Sequence, residues 1–165
     1  MADSREDEEE EIDTAAVEAS FVLLMRWLHR QPEFTPEMLA DKDVQKFIRS
    51  HAGVLDRAVD FSIHQRPIDD ISVRRLKESN YVFSGFKTFH ELNEAFPSLI
   101  DADGNRKPFE RFLNDVQKVN ETYNRWYLKT EYNFALSSAA MAARWKQWWD
   151  DEDRDRYLLQ YRTVG

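Results

Sequence analysis

The feature that most constrains this chain is a stretch of 41 residues, 109–149, that contains neither glycine nor proline. Bulky side chains recur there every three or four residues: Phe109, Phe112, Leu113, Val116, Val119, Tyr123, Trp126, Tyr127 and Thr130. This spacing is typical of one face of an α-helix. It predicts a helix over about 108–149, roughly 60 Å long at 1.5 Å per residue, or a bent pair of helices that meet near Asn124.

The rest of the chain also favours helices. Only four glycines and five prolines are present, too few for the many tight turns of an all-β fold. We predict a helix over 13–30 that is capped by Asp13 and buries Ala16, Ser20, Leu23 or Leu24, Trp27 and Leu28. A short turn over 36–40 and a helix over 41–64 follow. The expected fold class is mainly α.

Two further helices are predicted before the long one. The first is capped by Asp69 or Asp70, and the second starts at a possible capping box of Thr88 and Glu91 and ends near residue 96. The stretch 101–105, Asp-Ala-Asp-Gly-Asn, predicts a turn. Small residues over 135–143 should mark a point where the long helix crosses another closely.

The two ends differ from the helical body. Residues 1–11 form an acidic block with little apolar material, which predicts a disordered tail. Residues 157–164 are rich in aromatic and branched side chains and predict a β-strand without an obvious partner. We therefore divide the chain into a tail over 1–11, N-terminal helices over 12–66, and a helical region over 67–165 that ends in a strand.

Charge and composition disfavour several functions. Residues 1–13 hold eight acids and one base, so they account for most of the net charge of −8 and leave a nearly neutral body. Such a body does not attract the phosphates that dominate DNA binding. The absence of cysteine excludes disulfides and thiolate sites. No basic, apolar leader or membrane-length apolar run is present, which predicts a soluble protein made inside the cell.

No residue pattern indicates catalysis or a cofactor. The four histidines (His29, His51, His64 and His90) lack the spacing of metal ligands on one helix face, which favours solvent-facing or hydrogen-bonded side chains. No serine has a nucleophile-elbow context or a convincing base, and no glycine-rich phosphate loop is present. Glu121 and Glu131 are interpreted as surface charge. We expect no enzyme activity, no metal and no cofactor.

Several blocks of sequence resemble a known family. They are Asn80 to Lys87 followed by a Leu-Asn-Glu helix, the turn and Lys-Pro-Phe over 99–112, Tyr123 to Tyr132, Ala139 to Trp145, and Leu159 to Gly165. Together they resemble minor head proteins of Bacteroidetes phages and prophages, of the phage-Mu F-like head-morphogenesis type. The likeness covers roughly residues 70–165. Lys129 stands where the family usually has arginine, which keeps the charge but loses the planar fork.

The resemblance implies a structural role in the phage head. It implies contacts with portal and capsid proteins, self-association through the long helix or the terminal strand, and help in head assembly or DNA entry. The expected location is the host cytoplasm during assembly and then the head interior. Because family members continue beyond the final strand, we expect this chain to be the front part of a longer protein. The family blocks supply the interaction candidates: Tyr81, Phe83, Gly85, Tyr123, Trp126, Thr130, Glu131, Tyr132, Trp145, Tyr161 and Arg162.

Two other classes stay open at the level of sequence. One is a metal-dependent nuclease, or a fragment associated with a toxin, whose acids converge only in three dimensions. The other is a binding module that uses the acidic tail to contact a basic partner, or the tryptophans as a stacking platform for nucleic acid.

Overall fold

A computed structural model describes Ile12 and residues 14–156, with the backbone alone for Arg156. The described chain is mainly helical, as the sequence predicts, and its only β pairing is an isolated bridge between Ile100 and Arg106. The acidic tail, the Asp13 cap and the predicted strand over 157–164, with Tyr161 and Arg162, lie outside the described residues.

The N-terminal helices begin and end close to their predicted bounds. Helix α1 spans Ala15–His29, a 3-10 turn spans Pro36–Ala40, and α2 spans Lys42–Gln65 with the Asp41 carboxylate accepting from the Asp43 backbone N–H. The predicted inner face of α1 is partly wrong. Ala16 and Leu23 are exposed, whereas the side chains buried at its start are Val17 and Phe21.

Helix α3 is one continuous element, Asp70–Ala95, where the sequence predicts two. Asp69 caps it, as expected, by accepting from the Ser72 N–H. The proposed capping box is wrong: the Thr88 hydroxyl donates to the Ser84 carbonyl, and the Glu91 carboxyl is buried. A threonine bonded to the carbonyl four residues earlier remains inside a helix.

The predicted turn at 101–105 is confirmed. The Asp101 carboxylate accepts from the backbone N–H groups of Asp103 and Asn105. Gly104 has φ +81°, a conformation that a residue with a Cβ rarely adopts. Arg106, directly after the turn, donates to the carbonyls of His29 and Gln31 and so ties this loop to the end of α1.

The long C-terminal stretch is bent and interrupted. It consists of α4 (Phe109–Asp115), a break at Val116, α5 (Gln117–Asn120), a π-helical segment (Glu121–Trp126, called the π segment) and α6 (Tyr127–Asp150). Beyond the break, the predicted inner face is wrong. Tyr123, Trp126, Tyr127 and Thr130 are exposed or half-buried, whereas Asn120, Asn124, Leu128 and Tyr132 are buried.

Helix α2 lies at the centre of the fold and packs against α1, α3 and α6. Ala135, Ala139 and Ala143 of α6 are all buried, and α6 packs against α2, which agrees with the predicted crossing point over 135–143. One hydrophobic cluster includes residues of α1, α2, α3, α4 and α6. The core therefore contains residues from before and after the predicted boundary at residue 66. The division of the chain at that residue stays a prediction.

Candidate functional site: a buried polar cluster

Polar side chains from three parts of the chain converge inside the helical bundle. Helix α2 contributes one residue, α3 contributes several, and the stretch from α5 to α6 contributes the rest. Most of these side chains are almost wholly inaccessible to solvent. The members of this polar cluster are His51, Ser84, Lys87, Thr88, Glu91, Asn120, Asn124 and Glu131.

His51 joins all three parts. Its Nδ1 lies 2.7 Å from the Ser84 Oγ, and its Nε2 lies 3.0 Å from the Glu131 Oε2 and 2.9 Å from the Lys87 Nζ. With the proton on Nε2 the ring donates to Glu131 and accepts from Ser84; with the proton on Nδ1 it donates to Ser84 and accepts from Lys87. Burial lowers the pKa of His51, and the hydrogen bond to Glu131 opposes that shift only in part. The lowered pKa favours the neutral ring.

Lys87 and Glu131 form an ion pair that links α3 to α6. The Lys87 Nζ lies 2.7 Å from the Glu131 Oε2, and the two side chains are 5% and 14% exposed. Burial lowers the pKa of Lys87, partly offset by the charge of Glu131. Burial alone would raise the pKa of Glu131, but hydrogen bonds from His51 and Lys87 outweigh it and lower that pKa. The interpretation of Glu131 as surface charge is therefore wrong.

Glu91 lies deepest in the cluster and has no hydrogen-bond partner for either carboxyl oxygen. Burial raises its pKa to about 8, with Lys87 and Asn124 opposing that rise. The carboxyl group is therefore mostly protonated at neutral pH. Nearby, the Asn124 Oδ1 is also buried and lacks a donor. A protonated Glu91 carries an O–H group, from which the Asn124 Oδ1 can accept a hydrogen bond.

The π segment supplies two features of the cluster. Asn124 lies within it, buried, and its side-chain amide donates to the Asn120 Oδ1 at 3.0 Å. Lys87 donates a further hydrogen bond to the Tyr123 carbonyl at 2.5 Å. π-helical turns depart from the regular helical ladder and often occur at functional sites. Here the wide turn brings a carbonyl and an amide of the helix into contact with α3.

The Ser84–His51–Glu131 chain resembles the connectivity of a catalytic triad, so the prediction that no serine is paired with a base is wrong. Ser84 is 0% exposed and His51 is 1% exposed, so a substrate has no access to either. Ser84 also lies in the middle of α3, where backbone N–H groups are engaged in the helix. This geometry suits a tie between helices. It does not suit acyl transfer.

The described residues also offer no metal-ligand group. Within Ile12 and 14–156, no three His, Asp or Glu side chains converge in a way that would hold an ion. His29 is hydrogen-bonded, with its Nε2 2.7 Å from the Lys107 carbonyl oxygen. The expectation that the protein uses no metal stays a prediction.

Four of the predicted interaction candidates lie at or beside the polar cluster. Glu131 belongs to it, Tyr123 contributes its carbonyl, and the ring of Phe83 lies 6.4 Å from the His51 ring. Gly85 follows Ser84 in α3. Resemblance to a family was the signal that found them. His51 and Lys87 were missed as site residues because their partners lie 33 to 80 residues away in sequence.

The other described candidates lie elsewhere. Tyr132 is buried in the hydrophobic cluster, and the Tyr81 hydroxyl donates to the Gln45 side chain. Trp126 is 71% exposed and Trp145 is 53% exposed, so neither contributes to the core. Thr130 is exposed on α6.

Several large aromatic side chains on α3 and α6 are exposed and lie close in sequence to the two residues of the buried ion pair. On α3 and α6 they lie within one helical turn of Lys87 and Glu131 respectively. We call this set the aromatic face, and its members are Phe83 (44% exposed), Phe86 (65%), Tyr127 (50%) and Phe134 (74%). The ion pair holds together the two helices that display them.

Comparison with models of known protein families, with characterised proteins and with solved structures gave no match.

Proposed function

We propose that this chain is a non-enzymatic assembly protein of a phage head, which binds portal and capsid proteins through the aromatic face. The observation that carries the proposal is the exposure of four aromatic rings on the two helices that one buried ion pair joins. Soluble monomers seldom leave contiguous apolar patches uncovered, and such patches mark interaction surfaces. Rigid aromatic side chains are also the residues that most often dominate binding energy.

The polar cluster supports this proposal by fixing the two helices. An interface gains affinity when its anchors are already held in the bound arrangement. Lys87, His51 and Glu131 join α2, α3 and α6 through short hydrogen bonds, so the rings on α3 and α6 keep a constant separation. An adaptor requires exposed binding side chains on helices that are fixed relative to each other, and the buried polar cluster fixes these helices.

The resemblance to minor head proteins supplies the identity of the partners. Phe83, Tyr127 and Glu131 lie within sequence blocks that resemble that family, and these blocks contribute to the aromatic face and the ion pair beneath it. The proposed location follows from the same resemblance: the host cytoplasm during assembly, then the head interior. No helix among the described residues is long and apolar enough to cross a membrane.

The test is co-expression of this chain with the portal and capsid proteins of a phage genome that encodes it. The Phe86→Ser/Phe134→Ser variant should lose co-purification, because removal of interface anchors weakens binding by about 2 kcal/mol or more each. Leu23→Ser is the matched control, since Leu23 is 66% exposed but lies on α1. Circular dichroism should show all three chains equally folded. A complex that survives the phenylalanine changes, or no complex with portal or capsid protein, would overturn the proposal.

The nuclease alternative has a separate test. Incubation with DNA or RNA in the presence of Mg²⁺ or Mn²⁺ should give no hydrolysis beyond that of the Glu131→Ala variant. Cleavage by the parent chain that disappears in this variant would replace the assembly proposal with an enzymatic one.

A further inference from the structure

The first half of helix α3 buries none of its side chains. From Asp70 to Phe83 every residue is exposed or half-buried, and the first buried side chain of the helix is that of Ser84. This half of the helix extends for about 20 Å at 1.5 Å per residue. Helices in proteins are stabilised mainly by packing of an apolar face against a neighbour. A length of helix without any buried residue is therefore open to a further contact.

Polar contacts hold this half of α3 in place against α2. The Asn80 side-chain amide donates to the Asp56 carboxylate at 3.0 Å, and the Lys77 Nζ lies 2.8 Å from an oxygen of Asp60. These contacts fix the direction of the half-helix. The residues that follow on its exposed surface therefore keep a constant arrangement, as a binding surface requires.

Four exposed residues form a line along this half of α3, with steps of three, four and three residues, which is the spacing of one helix face. We call this line the α3 seam, and its members are Ile71, Arg74, Glu78 and Tyr81. Ile71 is 61% exposed, and Tyr81 is 40% exposed although its hydroxyl donates to Gln45. A groove of about 720 Å³ lies along the seam, and its lining includes Arg74, Glu78 and Tyr81.

The α3 seam is complementary to a second copy of itself. Arg74 and Glu78 form no ion pair within the part of the chain that the structure describes. An antiparallel second copy of α3, related by a two-fold axis level with residue 76, places each Arg74 opposite the partner's Glu78. The same alignment places each Ile71 opposite the partner's Tyr81. Every contact across a two-fold axis occurs twice, so two ion pairs and two apolar contacts form together.

We infer that two copies of this chain associate through the α3 seam, with the two α3 helices antiparallel. The contact covers only the first half of one helix from each copy, and interfaces below about 1,200 Å² in total are weak. The dimer therefore forms reversibly and depends on protein concentration. The inference does not rest on the proposed function, because the seam lies on another side of α3 than Phe83 and Phe86 of the aromatic face.

Sedimentation equilibrium of the full chain at rising concentration, up to about 1 mM, should show a monomer–dimer equilibrium for the parent. Arg74→Glu and Glu78→Arg should each weaken the dimer at least about tenfold, because two acids or two bases then face each other twice across the axis. Both residues are exposed, so circular dichroism should show both variants folded like the parent. A parent that stays monomeric, or single variants that dimerise like the parent, would overturn the inference.

A mixture of the two variants gives the decisive measurement. Arg74→Glu mixed with Glu78→Arg should form a mixed dimer about as tightly as the parent, because both contacts then pair an acid with a base. This rescue requires position 74 of one chain to face position 78 of the other. The Phe86→Ser/Phe134→Ser variant is the control and should dimerise like the parent. A mixture that stays monomeric, or loss of the dimer in the control, would contradict the α3 seam as the interface.

Discussion

Replacing Glu91 with glutamine should make the protein more stable at high pH and leave its stability almost unchanged at low pH. The carboxyl group is 0% exposed, and burial raises its pKa from 4.5 to about 8. The folded chain therefore binds this proton more tightly than the unfolded chain. Its stabilising contribution is complete below pH 4.5 and is lost as the pH rises to about 8.

The size of the effect follows from the same pKa. Each unit of difference in pKa between the folded and unfolded states corresponds to about 1.36 kcal/mol, so ionisation of Glu91 costs the fold about 5 kcal/mol. Glutamine imitates the protonated acid, because its amide can donate to the Asn124 Oδ1 that now lacks a donor. The free energies of unfolding of parent and Glu91→Gln should differ by less than about 1 kcal/mol at pH 5 and by about 5 kcal/mol at pH 9.

Urea unfolding followed by circular dichroism at several pH values between 5 and 9 measures this difference. Neighbouring titratable groups (His51, Lys87, Glu94 and Glu131) are present in both chains, so the comparison isolates Glu91 from them. Glu78→Gln is the control, an exposed glutamate on the same helix. A difference between parent and Glu91→Gln that stays constant over this pH range would refute the assignment of a neutral Glu91.

Three further predictions concern stability. Glu131→Ala should cost about 3–5 kcal/mol because it leaves a buried ammonium unpaired, and adding Lys87→Met should restore part of that loss in a double-mutant cycle followed by urea unfolding. Gly104→Ala should destabilise the protein by about 1 kcal/mol, because alanine is strained at the positive φ of this residue. Gly53→Ala should stabilise the protein by a similar amount, because a Cβ at this position inside α2 meets no atom within 4 Å. A stabilising Gly104→Ala or a destabilising Gly53→Ala would contradict the backbone geometry. Arg106→Lys should lower the thermal midpoint by losing the two-pronged contact with the carbonyls at the end of α1, and an unchanged midpoint would show that this contact is dispensable.

Local signals in the sequence predicted most of the helices. Prolines after apolar runs, and acids placed before such runs, located α1, the turn before α2, α2 itself and the start of α3 to within a few residues. These signals act over one or two helical turns. Composition was enough for the class, since too few turn formers are present for a sheet.

In the last helical stretch the sequence predicts a bend near Asn124, which lies in the π segment, but the signal for the break at Val116 was missed. The side chains that are buried there follow one another at intervals of four: Phe112, Val116, Asn120, Asn124, Leu128 and Tyr132. A regular α-helix repeats every 3.6 residues, so five successive steps of four rotate the inner face by about 200°. The break at Val116 and the wide turn of the π segment accommodate that spacing. Two of the six residues are asparagines, which a hydrophobic pattern does not count.

The polar cluster could not be found by pattern alone. Thr88 and Glu91 have the spacing of a helix start, and Glu131 has the surroundings of a surface acid. Only the packing of α2 against α3 and α6 removes these groups from water and pairs them. Their chemistry depends on that burial, because in water none of their pKa values would shift.

The position of α2 has a consequence for the order in which the molecule assembles. Helices α1, α2 and α3 are consecutive in the chain, so they can meet through short loops soon after the chain collapses. Helix α6 returns to α2 from about 80 residues away, and contacts between distant segments form late and open first. We therefore expect the contact of α6 with α2 to be the last to form. On this order of events, α1, α2 and α3 pack first, and the Lys87–Glu131 ion pair then joins α6 to them.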